Sequence, residues 1–290
     1  MREIPDKFMK GYAWANGAAT VLNAVATWKG AAFGIELKTR AEVELNHSGA
    51  ILGDVPGMDT RLIETCVRMV QERLGYSYGA IVRTNSEIPV AGGLKSSSTA
   101  ANAAVLATLD ALQEEMDPVE AAKIGVAAAQ EVGVTITGAL DDALASMLGG
   151  VVVTDNARML LLKREEFSRI VMLLVPERKL FSIDTNVSRS RLIAPMADVA
   201  YELAMRGDYG RAMTLNGLAY CAALGLPTEP LLIALEAGAE GVSLSGTGPA
   251  YAAIIDEDRM DTLEAAWRPL GGRVIRTRTN NRCASKGRGI

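Results

Sequence analysis

The stretch Ile88-Pro89-Val90-Ala91-Gly92-Gly93-Leu94-Lys95-Ser96-Ser97-Ser98-Thr99 decides how this chain is read. Its paired glycines lack a Cβ, so the backbone can approach a ligand closely. An alanine-rich run follows, with apolar residues at helical spacing from Ser97 to Glu115. The start of such a helix presents unpaired N–H groups and the positive end of its dipole to the loop before it. Serine hydroxyls and the Lys95 ammonium add donors and charge at the same place. The combination is an anion cradle suited to the phosphates of a nucleotide. It is not the Gly-x-x-x-x-Gly-Lys-Ser/Thr loop, because Leu94 rather than glycine precedes Lys95.

Outward from the loop, Ala31–Leu37, Ala41–Leu45 and Gly79–Thr84 read as strands, with an amphipathic helix over Asp59–Leu74. Asp117-Pro118 is an N-cap followed by a first-turn proline, and opens a helix through Glu131. A helix over Asp141–Leu148 stops at Gly149-Gly150, and Val151–Thr154 with Met159–Leu162 forms a hairpin. The remainder reads as a strand at Arg169–Val175, helices at Ala194–Met205, Tyr209–Leu224 and Pro230–Ala239, and strands at Gly241–Ser245 and Ala250–Ile255. A helix at Met260–Leu270 and a strand at Gly272–Thr277 complete it. This order describes an α+β protein whose second half is a compact sandwich, with a boundary near Glu165–Phe167.

Composition narrows the chemistry. The 290 residues carry a net charge of −4 and no basic stripe, which argues against a nucleic-acid partner, and the Arg273–Arg288 tail is a solvated or substrate-facing segment. Three widely spaced cysteines, Cys66, Cys221 and Cys283, form neither a zinc motif nor a disulfide framework, and point to a reducing cytoplasm. No apolar run is long enough for a membrane span, and the N-terminus lacks a signal-peptide pattern. The one histidine, His47, lies in a polar stretch and reads as a loop residue, so mechanisms needing a histidine base rank low.

Pro89 to Ser98 resembles the Pro-x-x-x-Gly-Leu-x-Ser-Ser-Ala loop of the GHMP kinases, with serine in place of the final alanine. Ala15-Asn16-Gly17-Ala18-Ala19-Thr20 resembles the family's first motif, and Ser243-Leu244-Ser245-Gly246-Thr247-Gly248-Pro249-Ala250 its third. The resemblance implies a two-domain GHMP kinase fold. Its N-terminal part, residues 1–165, is like ribosomal protein S5 domain 2, and its C-terminal part, residues 166–290, is a ferredoxin-like α+β sandwich. It also implies that Pro89, Val90, Ala91, Gly92, Gly93, Leu94, Lys95, Ser96, Ser97, Ser98 and Thr99 hold ATP, and that Gly246, Thr247 and Gly248 lie by the substrate.

Within the superfamily, the loop form, Asn23-Ala24 and the ending Thr277-Arg278-Thr279-Asn280-Asn281 resemble the archaeal type of shikimate kinase. That resemblance implies phosphorylation of the 3-hydroxyl of shikimate, a small-molecule substrate. It implies Mg²⁺ on Ser97 and Glu131, and an aspartate, Asp141 or Asp142, by the reacting hydroxyl. Glu131 precedes them by ten and eleven residues, and an extra residue after Gly138 makes the match ambiguous, with Asp141 preferred. Several family members carry a lysine where this chain has Ala18, so Lys95 or an arginine must supply that charge, or the site does without. A substrate carboxylate calls for an arginine fork. Arg83, Arg189, Arg191 and Arg278 are the candidates, with Arg189 and Arg191 preferred. Kinases acting on homoserine or mevalonate, and a non-catalytic nucleotide-binding regulator, are the rival readings. A homodimer stays open.

Overall fold

The structure is a computed structural model that describes residues 9–89, 93–177 and 187–287. Its strands form two sheets. The first is built on β1 (Lys10–Leu22) and β2 (Lys29–Asn46), paired antiparallel along nearly their whole lengths. The second half of β2 pairs with β4 (Gly79–Ser86), which in turn pairs in parallel with β3 (Ile51–Gly53). The first half of β2 pairs with β5 (Val151–Asp155), whose hairpin partner is β6 (Leu160–Glu165). Two separate strands were expected over Ala31–Leu45; the structure has one. Lys38, Thr39 and Arg40 stay extended because β1 pairs with them on one side, and Ser86 and Asn85 of β4 pair with Thr39 and Arg40 on the other. Such non-local pairing leaves no trace in local sequence pattern.

Helices α1 (Arg61–Leu74), α2 (Ser96–Leu112), α3 (Pro118–Val132) and α4 (Leu140–Leu148) contribute, with this sheet, to one apolar core. The central helix is α2, and Gly11 of β1 lets it approach closely. A Cβ there would fall 2.1 Å from the Ala107 carbonyl oxygen. Asp117 caps α3 as expected, accepting from the Val119 and Glu120 amides.

The second sheet is antiparallel, in the order β10 (Arg273–Arg278), β7 (Ile170–Val175), β9 (Tyr251–Ile255), β8 (Gly241–Leu244). Alternate residues of β7 serve two cores. Val171 and Leu173 join Val21, Phe33 and Val151 of the first sheet, while Met172 and Leu174 pack with Tyr220, Leu231 and Trp267. Helices α5 (Val187–Leu192), α6 (Ala194–Met205), α7 (Tyr209–Leu224), α8 (Glu229–Glu236) and α9 (Met260–Trp267) complete this half. The end of the expected last helix, Arg268–Leu270, is instead a short 3₁₀ turn.

A cut at residue 165/166 separates the strands of the two sheets except at the C-terminus. Asn280 donates its amide to the Gly34 carbonyl and accepts from Gly150, each at 2.8 Å. The short strand β11 (Ser285–Lys286) then pairs with β1. Residues 285–286 therefore add to the first sheet rather than to the C-terminal sandwich. Among the described residues, no helix is long and apolar enough to cross a membrane.

Candidate active site

Two helix N-termini build the site. At the start of α2, Lys95 is the N-cap residue with φ 64°, and at the start of α4, Ala139 holds that place with φ 50°. Non-glycine residues in the left-handed region cost about 1–2 kcal/mol each. Such strain is kept where the surroundings impose it, often at sites of function. Among the described residues no side chain caps either helix, and the first amides of α2, like those of any helix, have no intrahelical acceptors. Ser96 and Ser98 are half-buried there and Ser97 is exposed.

The first turn of α4 carries Asp141 and Asp142, where negative charge suits the dipole. The Lys95 ammonium lies 2.9 Å from Asp142 Oδ1, with side chains only 8% and 12% exposed. Ala18, at the position where several family members carry a lysine, is fully buried in β1. Asp141 is turned the other way. Its Oδ1 accepts from the Asn156 amide at 2.9 Å, and the carboxyl packs on Gly30 of β2. Burial, then the neighbouring Asp142 charge, push the Asp141 carboxyl up to about 7, against the opposing pull of Lys95 and the Asn156 hydrogen bond.

The third motif closes over the loop. Ser245 donates its hydroxyl to the Gly93 carbonyl at 2.9 Å, and a Cβ on Gly93 would fall 2.2 Å from the Ser245 carbonyl oxygen. The Gly246 amide donates to Thr20 Oγ1, and its carbonyl accepts from the Asn23 side chain, both at 2.8 Å. Asn23 is fixed further by its amide to Asn216 Oδ1 and by the Tyr220 hydroxyl on its carbonyl. The wall formed by residues 23–25 is thus tied to α7 in the second half of the chain.

Between these parts lies a small cavity of about 50 Å³, lined by Asn23, Lys95, Thr135, Thr137, Asp141, Asp142, Gly246 and Thr247 among others. Lys95 is the one cation lining it among the described residues. Polar groups converging on a paired carboxylate and a lysine beside an anion cradle suit transfer of a phosphoryl group to an alcohol.

Not every expected residue comes to this place. Val90, Ala91 and Gly92 lie outside the described residues, and Pro89 lines a wider cleft of about 540 Å³ where the two sheets meet. Glu131 sits on the last turn of α3, which runs beside the start of α2 because Gly125 packs on Ala101. Its carboxylate, half exposed, pairs with Arg68 at 2.6 Å instead of facing the cavity. Among the described residues, no group of three His, Cys, Asp or Glu side chains could hold a metal. Arg189 and Arg191 are exposed on α5, whose Val187 shares an apolar cluster with Ile136 of the cavity wall. Arg83 pairs with Asp54, and Arg278 with Glu257, away from the cavity. His47 sits 5.7 Å from the Tyr78 ring, ring centre to ring centre, and does not line the cavity.

Sequence reasoning missed Gly30 and Asn156. Gly30 follows an ordinary strand start, and Asn156 reads as a turn residue. Asn23 stood in the resemblance without a role.

Residues 61–150 match the GHMP kinases N terminal domain family. The chain is 59% identical over 279 residues to a protein of Methanothrix thermoacetophila named shikimate kinase, covering 96% of this chain and 97% of that one. A Methanothermobacter thermautotrophicus protein of the same name is 43% identical over 91% of this chain and 94% of its own. In fold, the mevalonate kinase of Methanococcus jannaschii superposes with a TM-score of 0.76 at 15% identity, covering 93% of this chain and 98% of that one. The galactokinase of Lactococcus lactis gives 0.73 at 12% identity, covering 95% of each chain. This chain belongs to the GHMP kinases, in the family of the archaeal shikimate kinases.

Proposed function

We propose that this chain transfers the terminal phosphoryl group of ATP to the 3-hydroxyl of shikimate. The observation that carries the reading is the Lys95–Asp142 ion pair set between the N-termini of α2 and α4, in a chain 59% identical to a named shikimate kinase along almost its full length.

Phosphoryl transfer passes through a loose, anionic transition state, so the protein's work is positioning and charge neutralisation. The first amides of α2, with Ser96, Ser97 and Ser98, receive the ATP phosphates. Lys95 keeps donors to spare for them while neutralising Asp142. Gly93 and Gly246, fitted together through Ser245, set the height of that cradle. Gly246, Thr247 and Gly248 border the acceptor.

Asp141 is the group that orients the acceptor hydroxyl and takes its proton. A carboxyl raised to about 7 is poised for that at neutral pH, and Asp142 is committed to Lys95. Thr135, Thr137 and Asn23 offer hydrogen-bonding groups to the remaining hydroxyls. Arg189 and Arg191 are the candidates for the carboxylate fork, from a helix whose Val187 packs against the same apolar cluster as Ile136.

Magnesium prefers oxygen ligands and keeps much of its shell of water and phosphate, so it would arrive with ATP. Ser97 would contribute a hydroxyl, and Glu131 a carboxylate on release from Arg68. When bound, the ion neutralises phosphate charge.

The test is an ATP-consumption assay across shikimate, homoserine, mevalonate and galactose. Turnover of shikimate alone supports the reading; turnover of homoserine or mevalonate without shikimate overturns it. ATP binding without turnover of any acceptor would indicate a regulator.

A further inference from the structure

Behind Asp141 lies a chain of hydrogen bonds from the β5–β6 hairpin. The Thr154 hydroxyl donates to Asn156 Oδ1 at 2.7 Å, and Asn156 Nδ2 donates to Asp141 Oδ1 at 2.9 Å. All three side chains are buried: Thr154 fully, Asn156 and Asp141 at 3% exposure each. The Thr154 hydroxyl fixes the orientation of the amide. With its oxygen occupied by that donor, Asn156 can turn only its nitrogen toward the carboxyl. The backbone amide of Asn156 meanwhile donates to the Trp28 carbonyl at 2.8 Å. Trp28 ends the turn that carries Ala24 and Val25 of the cavity wall, and it has φ 63°, a costly conformation for a tryptophan. One residue thus holds both the carboxyl and the turn beside the acceptor.

We propose that Asn156 is a positioning residue for phosphoryl transfer, whose amide, oriented by Thr154, holds Asp141 in its place and in its ionised form. The proposal rests on the reading of Asp141 as the proton acceptor. The residue types fit it. A hairpin turn needs no buried amide, and a carboxyl placed for structure alone would be cheaper as an uncharged group.

Among the described residues, few charged and titratable groups face Asp141. Its own helix brings Asp142, the start of α2 brings Lys95, and α7 brings Tyr220, whose hydroxyl feels the Asp141 charge. From β2 comes only Gly30, and from the loop before α4 only Thr137, 3.4 Å from Asn156 Nδ2. Asp155, next to Asn156, turns to Arg158. The Asn156 amide is therefore the one neutral side-chain donor to Asp141 among the described hydrogen bonds.

The test uses Thr154→Val, Asn156→Leu and Asn156→Asp in the full chain. Two readouts are followed: the pH profile of kcat/KM between about pH 5.5 and 9, and the carboxyl ¹³C titration of Asp141, assigned by its loss in Asp141→Asn. A hydrogen bond to a charged group corresponds to a shift of about one pH unit. Thr154→Val and Asn156→Leu are expected to move both midpoints up by about that much, with activity recovering at alkaline pH. Asn156→Asp, which adds an anion, is expected to move them further. Equal loss of rate at every pH, with an unmoved carbon midpoint, would overturn the proposal and leave Asn156 a turn residue. Thr154→Val is nearly isosteric, so it reports even if Asn156 variants fold poorly. The carbon titration needs no acceptor, so it stands apart from the identity of the substrate.

Discussion

Gly30 of β2 and Asp141 of α4 touch so closely that a Cβ on Gly30 would fall 2.5 Å from the Asp141 carboxyl carbon. Real Cβ atoms do not come that near, so Gly30→Ala must displace the carboxyl. Misplacement of a reacting group by about 1 Å can cost 10²-fold in rate. Gly30→Ala is expected to lower kcat by about that factor with little change in KM for ATP, since α2 is untouched. Steady-state kinetics decide it, and a kcat within threefold of the parent would show that Asp141 needs no such exact seat.

Burial makes the ionised form of Asp141 a cost to the fold. The folded value of about 7 stands above the ordinary 3.8, so the protein is fully stable, as far as this group goes, below about pH 4. Stability is lost as pH rises from there to about 7, and the loss is complete above. Asp141→Asn removes it. The variant is expected to be inactive yet to melt about 5 °C higher than the parent at pH 8, with the difference vanishing below about pH 4. Equal melting temperatures at pH 8 would contradict the buried-carboxyl reading.

The Lys95–Asp142 pair is nearly sealed from water, so removing one partner strands the other. Breaking a buried pair in this way costs roughly 3–5 kcal/mol. Lys95→Met should therefore lose both stability and activity. Adding Asp142→Asn should restore most of the stability and none of the activity. Chemical denaturation of the two single variants and the double variant reads the coupling, and additive effects would mean that the pair carries no energy.

Gly93 tests the join between loop and third motif. Its φ of +75° and the 2.2 Å gap to the Ser245 carbonyl leave no room for a methyl group. Gly93→Ala is expected to raise KM for ATP by about tenfold or more, through a shifted phosphate cradle. An unchanged KM would separate that join from nucleotide binding.

Much of the fold was legible because its signals are local. The capping pair Asp117-Pro118, the stop at Gly149-Gly150 and the apolar run of Arg169–Val175 each act within a few residues, and the elements appear where those signals place them. The union of two segments into β2, the long β1 and the return of Ser285–Lys286 to the first sheet depend on partners far away in sequence. The site divides in the same way. Gly93, Lys95 and the serines follow from one motif, and Asp141 and Asp142 from another. Gly30 reaches Asp141 across more than a hundred residues, and Asn156 reaches it back over α4 and β5, contacts that pattern alone does not record.

The central claim is that this Lys95- and Asp141-centred site phosphorylates shikimate. It is tested most directly by incubating the protein with ATP, Mg²⁺ and shikimate, and identifying the product by ³¹P and ¹H NMR, with Asp141→Asn and Asp142→Asn in parallel. The expected result is shikimate 3-phosphate from the parent protein, with the rate lowered at least about 10²-fold in Asp141→Asn. No shikimate phosphate, or equal rates in all three proteins, would contradict it.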